Sequence, residues 1–259
     1  MKIFMGIDIG SLSTDGVIID ETAEIINSVI LPTGASIKRV AKTCKEELLK
    51  NIDQSDIEST RVITTGYGRK IVDFADGIIT EITAHALGAR HIFDNANSVI
   101  DMGGQDTKAI NLDEKGKVID FVMNDKCAAG TGRFLEVMAR ILELDLEQMA
   151  ELALKAEEKA QVTSTCTVFI ESEIISLLSQ DIPVAQIASG VFDSITSRVT
   201  GMAKGINCRP PFVLTGGVAK NKAIYSFLAE KLNGKVLIPD DTQIIGALGA
   251  AIYGRIKHI

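Results

Sequence analysis

Tryptophan is absent from the 259 residues, and aromatic side chains make up only 5% of them. A core built from this chain is therefore aliphatic, drawing on Ile, Val, Leu and Ala. Basic residues hold no majority: 27 Lys and Arg face 34 Asp and Glu, for a formal charge of −7. Such a balance does not neutralise a row of phosphates, which argues against nucleic acid as a partner. Long apolar runs are missing as well. Gly16-Val17-Ile18-Ile19 is of strand length, far below the roughly 20 residues of a spanning helix. The opening Met1-Lys2-Ile3-Phe4 runs into a strand pattern and meets Asp8, without the apolar stretch and cleavage site of a signal peptide. A cytoplasmic protein with no membrane association is expected. Its four cysteines, Cys44, Cys127, Cys166 and Cys208, are then not expected to form disulfides. No CxxC occurs among them, so neither a zinc ribbon nor a thioredoxin-type motif is supported.

What is present is ordinary globular composition, with 46% hydrophobic and 24% charged residues, which excludes a disordered chain. Short β-branched runs alternate with helical patterns, the mark of an α/β fold. Strands are expected over 2–8, 15–20 and 24–31, around Val62-Ile63-Thr64, over 98–102, 106–112, 117–123 and 212–215, and at Val236-Leu237-Ile238. Helices are expected over 36–51 and 80–93, from Thr131, from Thr167, from a cap at Asp181 with Pro183 in the first turn, and over 217–231 and 243–256.

An internal echo organises the chain. Ile7-Asp8-Ile9-Gly10-Ser11 returns 93 residues later as Ile100-Asp101-Met102-Gly103-Gly104, and Thr14, Val17 and Asp20 match Thr107, Ile110 and Asp113. Each copy reads as strand, Asp–x–Gly turn, strand, acidic turn, strand. A repeat of this kind reports a repeated supersecondary unit. The expectation is two related lobes facing each other: 1–95, completed by the C-terminal helix 243–259, and 96–242. Two chance hairpins remain the alternative.

The twin turns also carry chemistry. Glycine at a hairpin tip lets backbone N–H groups approach an anion, and the carboxylate at the preceding strand end can hold Mg²⁺ directly or through water. A matched pair could grip the phosphates of one nucleotide. Thr215-Gly216-Gly217-Val218 is a third glycine turn, between strand and helix, open enough for a flat ring. By itself it is also a common structural turn. It is not a Walker A loop, and the isolated Gly130-x-Gly132 is no dinucleotide fingerprint.

Gly6-Ile7-Asp8-Ile9-Gly10-Ser11, Asp101-Met102-Gly103-Gly104-Gln105-Asp106 and Thr215-Gly216-Gly217-Val218 together resemble the phosphate and adenosine motifs of the actin, chaperone and sugar-kinase ATPase superfamily. The match sharpens at Thr65-Gly66-Tyr67-Gly68-Arg69, at Met123–Phe134 around Cys127, and at Ser164-Thr165-Cys166-Thr167-Val168-Phe169. These resemble the activators of 2-hydroxyacyl-CoA dehydratases, in the BadF/BadG/BcrA/BcrD ATPase family. That family also includes the ATP-consuming subunits of benzoyl-CoA reductase.

The resemblance implies two ribonuclease-H-like, actin-like lobes around a nucleotide cleft that takes ATP or ADP with Mg²⁺. Asp8 and Asp101 are expected near the metal and the attacking water, with Gln105 positioning that water. Gly10, Ser11, Leu12, Ser13, Thr14, Gly103 and Gly104 are expected on the phosphates, and Gly216, Gly217 and Val218 on the adenosine. Gly132, Glu136 and Gln243 are further expected nucleotide contacts, with Glu136 at the ribose and Gln243 at the adenine. One departure stands out: the family commonly has Lys after the Thr of the first turn, where Asp15 follows Thr14, although the second copy keeps Thr107-Lys108. His85 and Cys44 read as structural residues, as does Cys208.

Cys127 and Cys166 each sit just before a helical pattern, where a helix N-terminus favours a thiolate. Buried, inert thiols are the bland alternative. The resemblance implies that the pair ligates half of a 4Fe–4S cluster. Four thiolates then require a homodimer, with one cluster bridging two subunits. The implied activity is ATP-driven, one-electron transfer to a separate iron–sulfur 2-hydroxyacyl-CoA dehydratase, with a ferredoxin or flavodoxin as the electron source. A benzoyl-CoA-reductase-type subunit and a cluster-free small-molecule kinase of the same fold are the alternatives.

Overall fold

The computed structural model describes residues 2–52, 60–163 and 167–257. The chain contains two compact units: residues 1–99, 112–119 and 239–259 form the first, and residues 100–111 and 120–238 the second.

The first unit is built on β1 (Phe4–Ile9), β2 (Ser13–Ile19), β3 (Ile25–Pro32), β4 (Arg61–Thr65) and β5 (Gly77–Ile78), in sheet order β3-β2-β1-β4-β5. The β1–β2 and β2–β3 pairs are antiparallel, while β1–β4 and β4–β5 are parallel. Strand β1 is buried along its whole length, as a central strand covered on both faces must be. On one face, Ile3, Met5, Ile7 and Ile9 pack with Ala41, Cys44 and Leu48 of α1 (Ile37–Leu48). On the other, Phe4, Val17 and Ile19 meet Ala247, Leu248 and Ala251 of α8 (Ile245–Lys257). Helix α2 (Glu81–Ile92) opens on Thr80, whose hydroxyl accepts the Thr83 N–H at 3.2 Å.

The second sheet contains β6 (Ser98–Met102), β7 (Thr107–Leu112), β8 (Val118–Asn124), β9 (Phe212–Thr215) and β10 (Val236–Leu237), ordered β8-β7-β6-β9-β10. Substituting β6–β10 for β1–β5 reproduces the first order, so the echo in sequence is an echo in topology. Beyond the sheet lie α3 (Gly132–Ile141), α4 (Leu146–Lys155), α5 (Thr167–Ser179), α6 (Val184–Gly205) and α7 (Lys222–Leu232). Their core gathers Ile100, Met102, Phe134, Met138, Phe192 and Leu214.

The repeat extends to hydrogen bonds. Gly10 N–H donates to the Ser13 carbonyl at 2.9 Å, and Gly103 N–H to the Asp106 carbonyl at 2.9 Å. The acidic turns match as well. Asp20 Oδ1 accepts from the Thr22 and Glu24 N–H groups, as Asp113 Oδ1 does from Lys115 and Lys117. All three matched bonds keep the offset of 93 residues.

Three local readings are corrected. Asp181 does not cap α6: it takes φ 56°, and Pro183 occupies the cap position without a side-chain bond. The helix expected over 217–231 is a 3-10 turn (Gly217–Lys220) followed by α7. Asn221 divides them because its side chain accepts the Ala223 and Ile224 N–H groups and so starts a new helix. Helix α4 went unread, although Asp145 and Gln148 form a capping box at its start. No helix among the described residues is long and apolar enough to cross a membrane.

Candidate functional site

In the first unit, β1 delivers Asp8 to the mouth of the β1–β2 hairpin, where it is buried. Asp8 pairs across the antiparallel ladder with Asp15, also buried, and across the parallel one with Thr65. Residues paired in register point to the same face, so two carboxylates and a hydroxyl share one spot. Ser13 Oγ donates to Asp15 Oδ2 at 3.0 Å. The Thr65 hydroxyl is fully buried and has no hydrogen-bond partner among the described residues. Buried polar atoms without a partner are uncommon and call for an explanation. His85 of α2 reaches in as well, with Nε2 3.7 Å from Asp8 Oδ2. The tip residues Ser11 and Leu12 are exposed, and Thr14 is tied down by Thr33, whose hydroxyl also donates to the Gly10 carbonyl at 2.8 Å.

In the second unit the same positions carry different charges. Asp101 is buried, and both of its oxygens are engaged: Thr215 Oγ1 donates to Oδ1 at 2.9 Å, and Lys108 Nζ to Oδ2 at 3.0 Å. Lys108, itself only 3% exposed, also pairs with Asp106 Oδ2 at 2.7 Å. Gly104 is half-buried and Gln105 exposed at the tip.

The glycine turn after β9 has its own counterpart. Gly216 takes φ 90°, and a Cβ there would lie 2.3 Å from the Met102 carbonyl oxygen. Gly66, after β4, takes φ 86°, and a Cβ there would lie 2.5 Å from the Ile9 carbonyl oxygen. Met102 and Ile9 are themselves repeat mates. This second match escaped sequence reading because its offset is 150 residues rather than 93. Arg69 is held near its own turn, donating to the Gly66 carbonyl at 2.8 Å and pairing with Glu81 at 3.6 Å.

The segment from Cys127 to α3 is fastened to the second hairpin. Gly132 N–H donates to the Gly103 carbonyl at 3.0 Å, Arg133 N–H to that of Gly104 at 2.8 Å, and Thr107 Oγ1 to that of Gly130 at 2.6 Å. Asn124 Nδ2 bonds the Cys127 and Ala129 carbonyls at 2.9 and 2.8 Å. A Cβ on residue 132 would meet Val218 Cγ2 at 2.9 Å and Gly104 Cα at 3.2 Å. Gly103, Gly104, Gly132 and Val218 therefore converge.

Glu136 lies one turn along α3, paired with Arg133 at 2.9 Å. Gln243 precedes α8 in the first unit, its N–H on Asp241 Oδ1 at 3.1 Å. Gly217 is exposed at the start of the 3-10 turn. Cys127 is half-buried against the second core, and Cys166 lies outside the described residues. Cys44 is buried on α1, its thiol pushed up to about 12 by burial and by the charge of Asp15. Cys208 is half-buried against the second core.

A nucleotide-binding α/β protein of the actin-like class is what this duplicated arrangement describes. Over residues 5–254 the chain matches the BadF/BadG/BcrA/BcrD ATPase family, and it belongs to that family. It is 43% identical over 250 residues to the activator of lactoyl-CoA dehydratase of Anaerotignum propionicum, covering 96% of each chain. The crystal structure of the (R)-2-hydroxyglutaryl-CoA dehydratase component A of Acidaminococcus fermentans superposes with a TM-score of 0.92 at 39% identity, over 99% of both chains. The activator of the 2-hydroxyisocaproyl-CoA dehydratase from Clostridium difficile, with bound ADPNP, superposes with a TM-score of 0.89 at 39% identity, over 98% of this chain and 95% of that one.

Proposed function

We propose that this chain is an ATP-hydrolysing, one-electron activator of a 2-hydroxyacyl-CoA dehydratase. The observation that carries the reading is the fastening of the Cys127 segment to the second Asp–x–Gly hairpin, through Gly132, Arg133 and Thr107. Displacing that hairpin displaces the chain next to Cys127. The relatives support the same reading, since they are named as activators for three different acyl-CoA dehydratases.

The residues divide into roles. Gly10, Ser11, Leu12, Ser13 and Thr14 hold phosphate on the first hairpin, and Gly103 and Gly104 on the second. The exposed tip residues Ser11, Leu12 and Gln105 present backbone to an anion, while the Gly10 and Gly103 N–H groups close the two turns. Gln105, exposed at the second tip, orients the attacking water through its amide. Gly216, Gly217 and Val218 take the adenosine, Gly132 lines the same place, Glu136 reaches the ribose and Gln243 the adenine. Carboxylates at the strand ends suit Mg²⁺, a hard cation that keeps several waters and uses one or two carboxylates beside the phosphates. The unpartnered Thr65 hydroxyl fits a metal-bound water as its partner.

The donor set also fits a shared cluster. One chain offers Cys127 and Cys166 in the two matching motifs. A homodimer supplies four thiolates. Cys127 and Cys166 of two subunits would hold a 4Fe–4S cluster, which would supply one electron at low potential with a ferredoxin or flavodoxin as the source. Asn124 holds the Cys127 carbonyl and that of Ala129 two residues on, and hydrolysis at the hairpins shifts the surroundings of Cys127.

The test is activation. Anaerobically purified protein, dithionite and Mg-ATP are added to inactive lactoyl-CoA dehydratase, and also to dehydratases for 2-hydroxyglutaryl-CoA and 2-hydroxyisocaproyl-CoA. Turnover of at least one, lost without ATP, supports the reading; no turnover with any of the three, in the presence of measurable ATPase, contradicts it.

A further inference from the structure

We infer that the two hairpins divide the cation work: Lys108 is the resident cation of the second, and the nucleotide's divalent cation is held by Asp8, Asp15 and Thr65 of the first. This rests on the nucleotide reading above and goes beyond it by assigning Asp15 and Thr65 and by withdrawing Asp101 from the metal.

The argument is a comparison of repeat mates. Residues 8, 13 and 15 correspond to 101, 106 and 108 at the offset of 93. In both copies the middle position is linked to the third, Ser13 to Asp15 at 3.0 Å and Asp106 to Lys108 at 2.7 Å. The frame is therefore the same and the charge is not: Asp–Ser–Asp against Asp–Asp–Lys.

In the second copy each carboxylate meets Lys108, and the neighbouring hydroxyl, Thr215, is satisfied by Asp101. An ammonium at 3.0 Å from Asp101 occupies the side from which a divalent cation would approach, and like charges there repel. In the first copy the position of Lys108 holds a second carboxylate, in register with Asp8. His85 Nε2 lies 3.7 Å from Asp8 Oδ2, and two carboxylates placed opposite each other in register favour a further positive charge between them. The corresponding hydroxyl, Thr65, is buried and unpartnered among the described residues. A hydrated divalent cation between Asp8 and Asp15 answers both features. Its charge offsets the two carboxylates, and one of its waters bonds to Thr65. The Asp15 that breaks the family's usual pattern then becomes a ligand-side residue rather than a defect in phosphate binding.

Manganese provides a probe that does not depend on turnover. Mn²⁺ is titrated into the ADP-bound protein, and free Mn²⁺ is read by electron paramagnetic resonance. ADP binding is measured in parallel by calorimetry without metal. One Mn²⁺ per chain is expected for the unmodified protein. Asp8→Asn and Asp15→Asn should each weaken it more than tenfold and Thr65→Val severalfold, whereas Asp101→Asn should change it less than threefold. Thr65→Val is nearly isosteric and keeps the test valid if a carboxylate variant fails to fold. Equal weakening by Asp8→Asn and Asp101→Asn, or unchanged affinity in Asp15→Asn and Thr65→Val, would overturn the division while leaving the nucleotide reading intact. A chain that binds no ADP would overturn that reading and this inference together.

Discussion

Cys44 shows how a single residue can be chemically silent by position. Its thiol sits under Gly16, where a Cβ would lie 2.5 Å from the sulfur, and it remains protonated because burial, then the Asp15 charge, raise it from 9.0 to about 12. The folded state therefore retains a proton that the unfolded chain releases near pH 9. Stability is full below that point and is lost as pH rises toward 12, at up to about 1.4 kcal/mol per unit. Cys44→Ala should flatten that alkaline slope in urea melts between pH 8.5 and 10.5, and in the native protein the thiol should resist iodoacetamide. Sequence could place Cys44 outside every motif but not measure its burial, because the charged neighbours on α1 suggested a surface helix while Cys44 itself faces the sheet. Lys108 was equally visible in the sequence. Its grip on two carboxylates was not, because Asp101, Asp106 and Lys108 meet only once the strands fold back.

In the proposed reading the second hairpin and the loop it holds couple nucleotide to Cys127. Thr107 ties β7 to the Gly130 carbonyl at 2.6 Å within the segment that leads from Cys127 into α3. Thr107→Val keeps the shape and removes the donor, leaving a carbonyl short of a partner at a cost of about 1–3 kcal/mol. ADP affinity should stay within threefold. Nucleotide should then change the rate at which a chelator strips iron from the reduced protein at least fivefold less than in the unmodified chain. An unchanged nucleotide effect would place the coupling elsewhere. At this scale the sequence was informative where a short apolar run is bounded by turn residues, as in β6 and β9, whose expected and observed bounds coincide. It failed where one side chain decides the break, as Asn221 does between the 3-10 turn and α7.

Across the whole molecule the duplication is the main fact. Two sheets share one strand order, one pair of tip hydrogen bonds and one pair of acidic turns. The short Asp–x–Gly echo was enough to reveal the repeat, since backbone N–H groups, glycines and carboxylates at a turn leave a direct trace in sequence. The copies differ in charge at two positions, Ser13 against Asp106 and Asp15 against Lys108, and in the cysteine motifs that only the second half bears. The central claim, that ATP chemistry at the hairpins serves an electron held between two subunits, is tested most directly by counting iron. Anaerobically purified protein should contain about four iron and four acid-labile sulfide per dimer, with both lost in Cys127→Ser while the fold and ADP binding persist. A chain that remains free of iron after anaerobic reconstitution, or that keeps its iron in Cys127→Ser, would contradict the account.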